Sequence, residues 1–93
     1  MDTIAKKGIG APYKGPKGYK PENLSVAEAG DVTLTRFEIE AIRLADIFGL
    51  KYKDAGREMG VSTATFGRTV RNARKKIADA LVNSKAIFMK DKK

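Results

Sequence analysis

The stretch Lys53–Leu81, KDAGREMGVSTATFGRTVRNARKKIADAL, decides how the rest of the chain is read. A short helical segment breaks at Met59-Gly60-Val61-Ser62, and a longer amphipathic segment follows it. Gly60 can take the positive φ needed just past a helix end, and the Ser62 hydroxyl can cap the next helix. Gly56 lacks a side chain where two helices must cross closely. At 100° per residue, Phe66, Val70, Ala73, Ile77, Ala80 and Leu81 fall within about 100° of one another, which predicts one buried stripe. Ala64, Arg68, Arg71 and Lys75 fall on the opposite side. A second helix with a wet, basic face after a short turn is a helix-turn-helix, the geometry that enters a DNA major groove.

Working outward, Thr35 and Glu38 form a capping box, and Leu34 with Ile39 occupies the positions of the hydrophobic staple. These signals start a helix at Arg36, which should run to Phe48 with Gly49 as the residue that ends it. On that helix Phe37, Ala41, Leu44, Ala45 and Phe48 make one stripe. Ile39 and Ile42 lie nearly opposite and need a second partner, either the preceding segment folded back or another subunit. Glu40, Arg43 and Asp46 are spaced for surface pairs. The second helix is expected over Tyr52–Met59 with Ala55, Gly56 and Met59 inward, and the third over Thr63–Val82. The expected architecture is all-α, a small helical bundle carrying the helix-turn-helix. Residues 22–34 serve as a lead-in, 35–84 as the DNA-binding domain, and 85–93 as a tail. Within the tail, Lys85-Ala86-Ile87-Phe88-Met89 could be a strand, a helical extension or a dimer contact, because five residues are too few for periodicity to choose.

Ninety-three residues make one domain with a small core, and a chain without cysteine gains stability by dimerising. The Ile39/Ile42 patch and the Ile87-Phe88-Met89 run point the same way, to a homodimer. Cys and His are both absent, which excludes thiolate or imidazole metal sites, cysteine nucleophiles and His-based acid-base chemistry. No cofactor and no enzymatic activity are therefore expected. No apolar run approaches the length of a membrane span and the N-terminus lacks a signal-peptide core, so a soluble, cytoplasmic protein is expected.

The net charge of +8 is unevenly placed. Residues 1–21 carry +4, 22–60 carry −3, 61–76 carry +5 without a single acid, and 77–93 carry +2. Concentration of positive charge on the third helix and on the N-terminal segment points to a polyanion, because a merely solvated surface mixes signs as the middle block does. Residues 1–21 show no period and are punctuated by Gly and Pro, which predicts a flexible basic arm. Lys6, Lys7, Lys14, Lys17 and Lys20 on that arm can neutralise phosphates without reading bases.

The block from Thr35 to Ile87 resembles the prokaryotic family called domain of unknown function 134. The resemblance rests on EAIRLAD (Glu40–Asp46), MGVS (Met59–Ser62), TFGR (Thr65–Arg68) and ARKKIADALV (Ala73–Val82), with Tyr19-Lys20-Pro21 similar to the family's aromatic-Lys-Pro. It implies a helix-turn-helix similar to the promoter-reading fourth region of bacterial sigma factors. The cysteine that many members carry near the N-terminus is missing here. Some members continue into a domain similar to those that bind iron-molybdenum cofactor, and the resemblance here covers only their first half. The polar pair that often opens the recognition helix is Thr63-Ala64 in this chain, which offers a hydroxyl and methyls but no bidentate hydrogen bonds.

The expected function is sequence-specific binding of double-stranded DNA by a transcriptional regulator. Thr63, Ala64, Gly67, Arg68 and Arg71 are expected to face bases, with Lys51, Lys53, Ser62, Asn72, Arg74 and Lys75 on phosphates. The alternative is a protein-interaction module that docks an acidic surface of a transcription component. An RNA-binding role lacks the aromatic platforms that base stacking requires.

Overall fold

The computed structural model describes residues 18–22 and 29–91. Strand β1 is Gly18–Tyr19 and β2 is Asp31–Thr35. Helix α1, Arg36–Ile42, runs on without interruption as a π-helical turn over Arg43–Ile47. Helices α2 (Tyr52–Met59) and α3 (Thr63–Asn83) follow, and β3 is Ala86–Lys90. The arm lysines Lys6, Lys7, Lys14 and Lys17 lie outside the described residues, whereas Lys20 is exposed just after β1.

The all-α expectation is overturned. The three strands form one mixed sheet in the order β1-β3-β2, with β3 parallel to β2 and antiparallel to β1. The register pairs Asp31 with Ala86 and continues to Thr35 with Lys90, so both flanks of the helical unit, expected as lead-in and tail, are joined side by side. The run after Ser84 is the central strand. Its Ala86 is fully buried, and its backbone groups pair with β2 along its whole length. The parallel pairing needs a long crossover, which α1, α2 and α3 supply.

The helices themselves follow their local signals. Thr35 Oγ1 accepts from the Glu38 N–H at 3.1 Å and Glu38 Oε1 accepts from the Thr35 N–H at 2.9 Å, closing the capping box. Helix α2 ends at Gly60, with φ 72°. There the Val61 N–H donates to Gly56 O at 2.9 Å and the Gly60 N–H to Arg57 O at 3.1 Å, the paired bonds of a Schellman ending. A Cβ on Gly56 would stand 3.0 Å from Val61 O and 3.3 Å from Ser62 O, so the missing side chain is what lets the turn lie against α2. Ser62 then caps α3 by accepting from the Thr65 N–H at 3.1 Å.

The core is Ala41 and Leu44 from α1 and its continuation, Ala55 from α2, and Phe66 and Val70 from α3. Tyr52 meets Phe66 edge-on, ring centroids 5.3 Å apart. Removing Phe66, Leu44 and Val70 wholly from water stabilises the fold by about 1.5–3 kcal/mol each. Ala73, Ala80 and Leu34 extend the buried layer towards the sheet.

Three sequence expectations about apolar faces change. Ile42 packs against the core and Ile39 is half-buried, so that patch is covered within the chain. Leu81, expected inward, is 76% exposed beside the 80% exposed Val82, because Ala80 takes the inward position at that turn. Phe48 is 43% exposed and Ile47 73%. The π-turn explains this: its wider i→i+5 bonding, seen in the 3.0 Å bond from the Phe48 N–H to Arg43 O, shifts the phase of the helix before Phe48 is reached. The Arg43 guanidinium lies 5.9 Å from the Phe48 ring centroid instead. No helix among the described residues is long and apolar enough to cross a membrane.

Candidate nucleic-acid interface

The residues expected to meet a polyanion converge on the start of α2 and the first four turns of α3. The residue that precedes helix α2 at its N-cap is Lys51, whose backbone is extended and whose side chain makes no capping bond. Lys51 and Lys53 are both exposed, at a helix end where cations oppose the helix dipole. An uncapped, doubly cationic N-terminus is locally unfavourable and suits an anion that would satisfy both the free N–H groups and the ammonium groups.

On α3, Thr63, Ala64, Arg68, Arg71, Asn72 and Lys75 are all exposed. Their common side follows from the burial of Phe66, Val70 and Ala73 on the other. Gly67, expected among the base-facing residues, is buried. A Cβ there would stand 3.4 Å from Arg71 Nη1 and 3.6 and 3.7 Å from the Tyr52 ring, so Gly67 is covered by Tyr52 and the Arg71 side chain rather than open to a base.

The five cations of residues 61–76 divide into two groups. Arg74, expected on a phosphate, instead holds Asp46 of the π-turn through Nε and Nη2, the former at 3.1 Å. The Asp46 carboxylate raises the Arg74 pKa above its ordinary value, chiefly through that hydrogen bond. Lys76 Nζ reaches Glu38 Oε1 at 2.9 Å, beside the capping box. These two cations brace α3 against α1 and its continuation. Arg68, Arg71 and Lys75 are exposed and make no ion pair among the described residues, although the charge of Lys75 is felt by Asp79 one turn on.

Asp46 is thus not part of a surface row with Glu40 and Arg43. Glu40 is only 5% exposed and is held by Arg43 through two bonds of 2.7 Å. Among the described residues no buried side-chain nitrogen or oxygen lacks a partner. Sequence reading missed the bonds from Arg74 to Asp46 and from Lys76 to Glu38, which join residues 28 and 38 apart. No local spacing rule signals them. It also passed over Thr65, whose hydroxyl links the cap of α3 to Arg68.

The sequence profile of the family described as "Protein of unknown function DUF134" matches residues 12–92. A UPF0251 protein of Desulfosudis oleivorans is 52% identical over 69 residues, covering 74% of this chain and 50% of that protein. UPF0251 proteins of Moorella thermoacetica and Chlorobaculum tepidum are 49% and 48% identical over the same share of this chain, covering 46% and 45% of their own lengths. The chain spans about half the length of these relatives. No solved structure gives a significant match. With nearly the whole chain inside the family profile and half of its aligned residues shared with these relatives, the chain belongs to the DUF134, or UPF0251, family.

Proposed function

We propose that this chain binds double-stranded DNA through a helix-turn-helix formed by α2 and α3, with the N-terminal half of α3 in the major groove, and that it acts as a transcriptional regulator. The observation that carries this reading is the outward face of α3, where Arg68, Arg71 and Lys75 stand exposed and outside any ion pair among the described residues, directly after a capped, glycine-closed turn. Such a face has the length and charge to follow a groove floor and its rims. Arg68, one and a half turns into α3, reads bases, Arg71 follows it, and Lys75 meets phosphate where the helix axis leaves the groove. Lys51 and Lys53 clamp the backbone from α2. Arg74, tied to Asp46, orients the helix rather than contacting phosphate.

Homodimerisation belongs to the same proposal, on narrower grounds than the sequence suggested. The Ile39/Ile42 patch is covered and the backbone of the 86–90 run is paired within one chain, which leaves Leu81, Val82 and the 38% exposed Phe88 as its support. Sedimentation equilibrium at micromolar concentration distinguishes a dimer from a species of 10.2 kDa.

Selection of bound sequences from random duplex DNA, followed by titration across salt concentrations, tests the reading. An enriched motif containing guanine, with affinity falling steeply as salt rises, is the expected result. Salt-insensitive binding, or retention of an acidic protein surface but no duplex, would exclude it in favour of a protein-docking module.

A further inference from the structure

We infer that Thr65 is a positioning residue that sets the sequence preference of the DNA-binding face by holding Arg68 in its reading orientation before any DNA arrives. The inference rests on the DNA-binding reading above and adds to it a residue whose own side chain touches no base.

The basis is a line of three side chains on the first two turns of α3. Ser62 Oγ accepts from the Thr65 N–H at 3.1 Å and donates its own proton to Thr65 Oγ1 at 3.0 Å. Arg68 Nη2 donates to the same Thr65 Oγ1 at 3.1 Å. A hydroxyl oxygen has two acceptor positions, and Ser62 and Arg68 occupy both. The helix cap, the threonine and the guanidinium are therefore one connected unit. Thr65 is half-buried while Arg68 is exposed, so the anchor is fixed and the group it holds is free to meet a partner.

The direction of the bond gives it a function. Arg68 reaches back one turn towards the N-terminal end of α3, the end that enters a groove first. One of its five N–H donors is engaged by Thr65, which leaves enough for a bidentate contact to the O6 and N7 of guanine. Arg71 makes no such bond among the described residues, its Nη1 lying back over Gly67 instead. Thr69, the other hydroxyl nearby, is committed to the Thr65 carbonyl at 2.9 Å and cannot substitute for Thr65. Holding a long side chain in one rotamer beforehand removes part of the ordering cost that binding would otherwise carry. The loss of that benefit is expected to reduce discrimination about threefold to tenfold.

The test uses the full chain, a duplex carrying the selected motif, the same duplex with its guanine replaced, and a scrambled duplex. Thr65→Val should bind scrambled DNA as the unsubstituted chain does but discriminate about threefold to tenfold less well, and Thr65→Ser should restore discrimination. In an Arg68→Ala background Thr65→Val should cost nothing further. A Thr65→Val chain that discriminates normally, or a Thr65→Ser chain that fails equally, overturns the role of Thr65 while leaving DNA binding intact. Failure of the unsubstituted chain to bind any duplex overturns both. A measurement that needs no variant is nitrogen-15 relaxation of the arginine side chains in the free protein. The Arg68 Nε–H should be more ordered than that of Arg71, and equal mobility removes the inference.

Discussion

The turn between α2 and α3 closes on groups no more than five positions apart, whereas β2 and β3 pair residues 55 positions apart. In the first region Gly60, Ser62 and the bond from Val61 N to Gly56 O settle the backbone before any distant contact is made. In the second, no strand holds itself: β1 has two residues, and β2 meets β3 only because three helices return the chain to it. The candidate interface lies on the locally determined part. The sheet fastens the two ends of the helical unit and leaves the outward face of α3 uncovered.

The difference can be broken from the helical side first. Phe66→Ala empties the centre shared by α1, α2 and α3 and should cost about 3–5 kcal/mol. Because β2 and β3 are brought together only through those helices, urea unfolding followed by far-ultraviolet and aromatic signals should show both regions lost in one transition. Sheet signals that outlast the helices would disprove this dependence.

Gly56→Ala tests the turn alone. Its Cβ would meet two backbone oxygens at 3.0 and 3.3 Å, neither of which can swing aside, so a loss of about 1–3 kcal/mol is expected despite alanine's better helix propensity. An unchanged or raised melting temperature would show that the turn can widen freely.

Gly18→Ala acts on the other region. A Cβ there would stand 2.5 Å from Ile87 O, too close for β1 to keep its place beside β3. The expected loss is about 0.5–1.5 kcal/mol, the scale of one hydrogen bond. Hydrogen exchange should quicken in β3 but stay unchanged in α2 and the first turns of α3, and a uniform acceleration would mean that the two regions are coupled more tightly than their contacts suggest.

The smallest effect sits at the junction. Asp79, near the end of α3, accepts from Lys85 at 2.9 Å and from Asn83, and these bonds lower its pKa below the usual carboxylate value, Lys85 contributing most. A carboxyl whose folded pKa is depressed stabilises the fold above its unfolded pKa, and that stabilisation is lost as pH falls through the folded value. Melting temperature should therefore decline as the solution is acidified from about pH 5 towards pH 2, and less steeply for Asp79→Asn. Equal slopes would show that the bonds to Asp79 contribute nothing to the acid sensitivity.

Much of the candidate site was legible because its parts are local. The Thr35/Glu38 capping box, the α2 bounds, the glycine turn, the Ser62 cap and the exposure of Arg68, Arg71 and Lys75 each depend on residues one or two turns apart. Gly67 misled because its place in a basic stretch does not show what covers it, which is Tyr52 of α2 together with the Arg71 side chain. Arg74 misled for a similar reason, since its charge is visible in the sequence and its partner Asp46 is not.

By itself the sequence determined the three helices, the break between the second and third, and the distribution of charge along them, all set by backbone preference, capping and a 3.6-residue period. Tertiary structure alone decided that Ala86–Lys90 is a central strand, that Arg74 and Lys76 turn inward to carboxylates, and that Leu81 turns out. Strand pairing and long-range ion pairs depend on which segments the helices bring together, and a five-residue run carries no period long enough to announce its partner.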